Sequence, residues 1–187
     1  MVELTEETTD ESPGKANLFV VHLGQDDPSK CTAEKLRRLG MLSYLPPHRR
    51  RGLLLDPYSE TAISCTDKAM VLLEGLTAID ASWRKAVESF RGLSWRSDRR
   101  RALPYLVATN PTNYGIPVNL STAEALAAGL FIVGLRKQAE ELMSSFRWGH
   151  AFFELNLRYL EAYESAESSS EVVEAQKGFM KELGFAV

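Results

Sequence analysis

The stretch that most constrains this chain is Arg101–Ala128, RALPYLVATNPTNYGIPVNLSTAEALAA. Ala102–Ala108 is apolar and β-prone. Thr109, Asn110, Pro111, Thr112, Asn113, Tyr114, Gly115 and Pro117 follow it as a dense run of turn formers. Ser121-Thr122-Ala123-Glu124 then has capping-box spacing, in which the Glu124 N–H donates to the Ser121 hydroxyl and the Ser121 N–H donates to the Glu124 carboxylate. Leu126, Leu130 and Val133 recur at helical spacing. The order is therefore buried strand, long polar loop, helix. A loop of about a dozen residues is long for a compact domain, and its prolines and capped exit argue for order. Free N–H groups at a helix start attract anions, carboxylates included. Two readings stand equally on this pattern: a ligand loop that ends at a helix N-terminus, and a well-ordered structural connector.

The rest of the chain supplies the sheet that such a strand needs. Asn17–Leu23 reads as a buried strand, broken by Gly24-Gln25-Asp26-Asp27-Pro28. Ala33–Leu39 reads as a short helix closed by Gly40 at the C′ position. Gly52–Leu55 is a second strand, Lys68–Glu74 a helix closed by Gly75, and Leu76–Ile79 a third strand ending at Asp80. Ser82 is placed to cap a helix over Trp83–Phe90, and Ala102–Ala108 is the fourth strand. Helices over Thr122–Ser145, His150–Ala166 and Glu171–Leu183 fill the remainder. Strands alternating with helices, then helices alone, predict an α/β fold: a parallel sheet with flanking helices followed by a mainly helical C-terminal half. The expected divisions are an acidic disordered tail over 1–16, an α/β domain over 17–101 and a helical domain over 102–187. Ligands of such sheets sit beyond the carboxyl ends of the strands.

Charge is segregated. Residues 1–14 hold Glu3, Glu6, Glu7, Asp10 and Glu11 with no base, so the net charge of −3 hides a positive remainder. The middle is basic: His48-Arg49-Arg50-Arg51, then Arg91, Arg96, Arg99, Arg100 and Arg101 against Asp98. That pattern points to a polyanion-facing surface, although any single run also fits a solvated loop. No apolar run is long enough to span a bilayer, and the acidic start is unlike a signal peptide. Two distant cysteines, Cys31 and Cys65, fit a reducing, cytoplasmic location.

The chemistry-bearing candidates are few. The glycine cradles GxGxxG and GxxxxGK[ST] are absent. His22, His48 and His150 have no Cys or acidic partner at ligand spacing, so no metal is expected. Asp80-Ala81-Ser82-Trp83 follows directly on a strand. There Trp83 offers a flat apolar face for a purine, and Asp80 an acceptor for a ribose hydroxyl or a substrate N–H. A core Trp83 and a helix-capping Asp80 are the plainer alternatives.

Several segments in fixed order resemble one family: Asp27-Pro28-Ser29-Lys30-Cys31-Thr32, Leu55-Asp56-Pro57, Ser64-Cys65-Thr66-Asp67, Ile79-Asp80-Ala81-Ser82-Trp83, Ala108–Gly115, Leu120–Ala125 and Phe146-Arg147-Trp148-Gly149. From Leu18 to about Tyr163 the chain is similar to the ribosomal RNA aminocarboxypropyltransferases, which have a SPOUT-like fold with a C-terminal trefoil knot. Cys65-Thr66 departs from a common Pro-Ala, and Ala81 from a common Cys. The resemblance implies S-adenosyl-L-methionine as donor, with Thr32, Leu55, Pro57, Ile79, Asp80, Trp83, Leu103, Val118 and Thr122 around it. Leu55, Pro57, Trp83 and Leu103 would line the adenine slot, and Thr32 and the Thr122 helix start would face the amino-acid end. It implies transfer of the 3-amino-3-carboxypropyl group to N3 of a uridine or N1-methylpseudouridine in small-subunit rRNA, with methylthioadenosine released, by a monomer. Asp80 is the candidate base by motif, and Arg49, Arg50, Arg51, Arg99, Arg100 and Arg101 are the candidate RNA contacts. The rival expectations are a SPOUT-class rRNA base methyltransferase and a non-catalytic RNA-binding ribosome-assembly factor.

Overall fold

The structure, a computed structural model, describes residues 14–24, 31–81 and 95–185. The expected helix over Trp83–Phe90 with its Ser82 cap, the motif residues 27–30 and the tail before residue 14 lie outside the described residues. The elements in chain order are β1 (Leu18–His22), α1 (Thr32–Arg38), β2 (Ser43–Leu45), β3 (Leu53–Leu55), α2 (Lys68–Glu74), β4 (Leu76–Asp80) and β5 (Arg100–Arg101), then α3 (Thr122–Ile132), α4 (Arg136–Ser144), α5 (Gly149–Ser165) and α6 (Ser169–Glu182). The five strands form one sheet in the order β2-β1-β4-β3-β5, every pair parallel. The expected α/β architecture, strands first and helices last, is present.

Side chains alternate across this sheet with the two-residue period of a strand. Leu18 and Val20 of β1, Leu53 and Leu55 of β3, and Leu76 and Ala78 of β4 enter the main core. Phe19, Val21 and Leu54 point to the other face and pack with Leu45 and Trp95. Both faces are covered, which is why these strands read as continuous apolar runs. The main core is centred on α3, where every residue from Ala123 to Ile132 except Ala125 is buried. A helix buried on nearly every side belongs in the middle of a fold. Gly129 sets how close it comes: a Cβ there would stand 2.9 Å from Leu76 Cδ2 and 3.5 Å from Leu55 Cδ1. The bare backbone therefore rests on β4 and β3.

Three sequence expectations need correction. Ala102–Ala108 is not a strand of the sheet. The fourth edge is the two-residue β5, paired to β3 through Leu54↔Arg100 and Leu55↔Arg101, and beyond it come isolated bridges, Ala62↔Ala102 and, back onto the loop itself, Val107↔Pro117. Pro104 has no N–H to offer a ladder. The remaining backbone groups bond elsewhere: Tyr105 N–H donates to Gln176 Oε1 (2.7 Å), and Val107 N–H and C=O pair with the buried Asn156 amide at 2.8 and 2.9 Å. Side chains of α5 and α6 thus do for this segment what a neighbouring strand would do, and an apolar extended run looks the same in either setting.

The single helix expected over Thr122–Ser145 is two. Gly134 adopts φ +78, its N–H donates to Phe131 O (2.9 Å), and Leu135 N–H donates to Leu130 O (2.8 Å). This 5→2 and 6→1 pair is a Schellman stop. The same device at Gly40 closes α1, as expected: Gly40 N–H to Arg37 O and Met41 N–H to Leu36 O, both 3.0 Å. The third correction is β2, a three-residue edge strand too short to leave a periodicity. No helix among the described residues is long and apolar enough to cross a membrane.

Candidate active site

The register Phe19↔Thr77 through His22↔Asp80 brings the last residues of β1 and β4 side by side at the carboxyl edge of the sheet. Two helices start against this edge. Cys31 caps α1, accepting the Glu34 N–H at 3.3 Å, and Ser121 caps α3. The helices are tied where they begin, because the Ala123 N–H donates to Thr32 Oγ1 at 3.2 Å.

Asp80 is the point on which these elements converge. Its Oδ2 accepts from His22 Nδ1 at 2.7 Å and from the Cys31 thiol at 3.2 Å, and its Oδ1 accepts from Thr122 Oγ1 at 2.9 Å. One strand neighbour, one helix cap and one helix first turn thus each give a donor to a single buried carboxylate. A buried carboxylate needs such partners, because burying it without them is costly. Burial pushes the Cys31 thiol up to about 11, with the nearby Asp80 charge adding to it, so the thiol keeps its proton and donates. His22 has neighbours that a search at ligand spacing does not reveal, Asp80 and Cys31. The partners are 58 and nine residues away, at no ligand spacing. The donor atoms of His22, Cys31 and Asp80 lie within 4.8 Å of one another.

The long loop is fastened by the capping box the sequence predicts, extended into a larger cluster. Glu124, fully buried, accepts through Oε1 from Thr109 N–H (2.6 Å), Thr109 Oγ1 (3.0 Å) and Asn110 N–H (2.9 Å). Its Oε2 accepts from Asn110 Nδ2 (2.7 Å), Ser121 N–H (2.7 Å) and Ser121 Oγ (2.8 Å). One side chain therefore closes both ends of the loop onto the first turn of α3. Between them Val118 stands at φ +60, a conformation that a β-branched residue seldom adopts and that marks backbone held for a purpose. Its N–H donates to Leu106 O at 2.9 Å while the side chain is exposed.

Thr122 touches Asp80 directly, and Thr32 reaches the same helix start through the Ala123 N–H. Leu55 is buried at the end of β3, exposed Pro57 follows it, and half-buried Leu103 lies two residues past β5, so these three share the neighbouring strand ends. Ile79 packs against the Phe19–Leu54 face instead of the Asp80 face. Trp83 lies outside the described residues.

The arginines fall elsewhere. Arg49, Arg50 and Arg51 are exposed and lead into the amino end of β3. Arg50 and Arg51, with Arg96, Arg99, Glu74 and Trp95, line a cleft of about 360 Å³ at the amino edge of the sheet, opposite Asp80. Arg99 pairs with Glu74 (2.6 Å), Arg100 with buried Asp56 (3.2 Å) and Arg101 with buried Asp67 (3.0 Å).

A parallel sheet with helix starts and polar side chains gathered at its carboxyl edge defines a small-molecule-binding α/β domain. Comparison with known proteins makes this specific. The family model described as "Ribosome biogenesis protein, C-terminal" matches residues 53–180. The chain is 48% identical to the 16S rRNA aminocarboxypropyltransferase of Methanothermobacter thermautotrophicus, over 87% of this chain and 98% of that protein. It is 47% identical to the enzyme of the same name from Methanopyrus kandleri, again over 87% and 98%. The fold matches the structure of the SAM-dependent rRNA:acp-transferase Tsr3 from Vulcanisaeta distributa with a TM-score of 0.77 and 36% identity, covering 90% of this chain and 97% of that one. This chain belongs to the 16S rRNA aminocarboxypropyltransferase family.

Residues 17–46 also match a model described as a possible Fer4-like domain in RNase L inhibitor. An iron–sulfur cluster calls for four thiolates. The whole chain has two cysteines, of which only Cys31 falls in that segment, with its thiol held protonated. The residues do not fit a cluster.

Proposed function

We propose that this protein transfers the 3-amino-3-carboxypropyl group of S-adenosyl-L-methionine to N3 of a uridine or N1-methylpseudouridine in small-subunit rRNA, releasing methylthioadenosine, during ribosome biogenesis. The observation that carries this reading is the convergence of His22, Cys31 and Thr122 on Asp80 at the carboxyl edge of the sheet, in a chain nearly half identical to named 16S rRNA aminocarboxypropyltransferases.

The donor's positive sulfur makes each carbon attached to it open to displacement, so the protein's task is to choose the carbon and hold the acceptor in line. The chain's own residues divide that task. Thr32 and the first turn of α3 hold the amino-acid end, where N–H groups and the helix dipole suit a carboxylate. Leu55, Pro57 and Leu103 form the apolar slot for adenine, and Ile79 supports it through the backbone. The outward-turned Val118 closes the loop side. Asp80 is the centre at which the N3 proton is handled. Selectivity for the carboxypropyl chain over the methyl comes from burying the methyl in this arrangement, which is a matter of position rather than of added functional groups.

RNA lies along the basic middle. Exposed Arg49, Arg50 and Arg51 make the outer phosphate contacts, and Arg99, Arg100 and Arg101 complete the stripe while held by their acidic partners. The five residues of β4 separate the cleft from Asp80 by about 16 Å, so the bound rRNA wraps the sheet edge to present its base. The reading also gives the C-terminal half the trefoil knot of SPOUT-like enzymes, and makes the protein a cytoplasmic monomer acting on small-subunit rRNA or the pre-ribosomal small subunit.

The test is to incubate the protein with S-adenosylmethionine and small-subunit rRNA and identify the nucleoside product. Methylthioadenosine is expected. S-adenosylhomocysteine would assign a methyltransferase instead, and neither product with retained RNA binding would assign a non-catalytic assembly factor.

A further inference from the structure

We propose that His22 is the general base of the transfer and that Asp80 is its positioning residue. This rests on the reading of the site as an aminocarboxypropyltransferase centre.

Asp80 is poorly placed to take a proton itself. Both of its oxygens are engaged, Oδ2 by His22 and Cys31 and Oδ1 by Thr122, and its side chain is only 8% exposed. A carboxylate is in any case a weak base for a uracil N–H. His22 touches Asp80 on one side and solvent on the other, with its side chain 31% exposed. The Asp80 carboxylate beside Nδ1 makes Nδ1 the protonated nitrogen, and Nε2 is then the basic one. An acid that fixes the tautomer and orientation of an imidazole is a recurring device for making it a base.

The ring is held by more than that bond. Tyr44 of β2 stacks on it, with centroids 4.7 Å apart and planes 13° from parallel. Tyr44 is fixed in turn, since its hydroxyl donates to Glu34 Oε2 at 3.0 Å and the Arg37 guanidinium lies 5.2 Å over its ring. Among the described residues, the charged and titratable groups facing His22 are Asp80 of β4, Cys31 and, behind Tyr44, Glu34 and Arg37 of α1. Arg37 and Tyr44 hold Glu34 down to about 2, so it remains an anion at any working pH. A Cβ added at Gly24 would stand 4.0 Å from Nε2, so Gly24 itself does not cover that nitrogen.

Atoms and charges balance in the step. The N3–H proton passes to His22 Nε2, and the N3 electron pair forms the bond to the γ-carbon of the donor's carboxypropyl chain. The bond from that carbon to sulfur breaks, its electron pair neutralises the sulfonium, and methylthioadenosine leaves. The imidazolium, stabilised by Asp80, then releases its proton to solvent.

The experiment is single-turnover transfer to small-subunit rRNA at saturating donor, over a range of pH, with His22→Gln and His22→Ala beside the wild type. The wild-type rate should fall as the pH is lowered and level off at higher pH. His22→Gln should lose about a hundredfold or more in rate while its calorimetric affinity for S-adenosylmethionine stays within about threefold. Its remaining rate should climb with hydroxide, since the uracil must then ionise unaided. Added imidazole should restore part of the His22→Ala rate. The base assignment is overturned if His22→Gln keeps its rate within about threefold, or if the loss comes with an unchanged pH profile and no imidazole rescue. If the variants do not fold, the wild-type profile decides: a rate that rises in proportion to hydroxide through neutrality, with no plateau, overturns it. Failure of the wild type to release methylthioadenosine at all would sink the transferase reading and not this refinement of it.

Discussion

Asp80 and Cys31 show how far a single contact reaches. The Cys31 thiol donates to Asp80 and accepts from the first turn of α1, so it is a structural link and not a nucleophile. With its thiol held near 11 against an ordinary 9.0, its thiolate fraction at neutral pH should be about a hundredfold below that of an unfolded cysteine. Iodoacetamide alkylation at pH 8 should therefore be slow at Cys31 in the folded protein and fast in denaturant. The folded state keeps the proton that the unfolded chain loses first. This contribution to stability is full below about pH 9 and is lost as pH rises through about 11. Alkylation of Cys31 as fast as in the unfolded chain would contradict the burial argument. The residue scale also marks the limit of sequence reading. Ser121 and Glu124 are three apart, a spacing that physics makes recognisable. His22 and Asp80 are 58 apart, and only the parallel register of β1 and β4 makes them neighbours.

At the scale of elements, the long loop and α3 behave as one unit because Glu124 holds both. Glu124→Gln places an NH2 group against three donors, Asn110 Nδ2 and the two of Ser121, and should destabilise the fold by about 2–4 kcal/mol. A conservative Thr109→Ser should cost far less, because the backbone bonds remain. Thermal melts of the two variants check this, and equal melting temperatures for Glu124→Gln and wild type would contradict it. Asn156 is the counterpart for the segment before the loop. Asn156→Leu should cost about 2–3 kcal/mol by leaving the Val107 N–H and C=O unpaired, measured by urea denaturation. These clusters explain why the helices were largely legible and the fourth strand was not. Caps and C′ glycines act within a few residues, as at Gly40 and Ser121. Tyr105 and Val107 find their partners in side-chain amides of helices about 70 and 50 residues on, which no local pattern records.

At the scale of the molecule, the basic middle separates into two kinds of arginine. Arg101 is 15% exposed and bonded to buried Asp67, so Arg101→Ala should cost about 3 kcal/mol of stability by stranding that carboxylate. Arg49, Arg50 and Arg51 are exposed, and replacing all three with Ala should leave stability within about 0.5 kcal/mol each. If they meet phosphates, the same triple change should lower the salt slope of rRNA binding by about three units and leave donor affinity unchanged. Fluorescence anisotropy at several salt concentrations reads this, and an unaltered slope would move the RNA surface away from the β3 entrance. Isotope placement tests most directly which carbon leaves the donor. S-adenosylmethionine labelled in the carboxypropyl carbons or in the methyl is incubated with the protein and small-subunit rRNA. The carboxypropyl label is expected to enter the RNA and the methyl label to leave with methylthioadenosine; methyl label in the RNA would contradict the assignment of this site to carboxypropyl transfer.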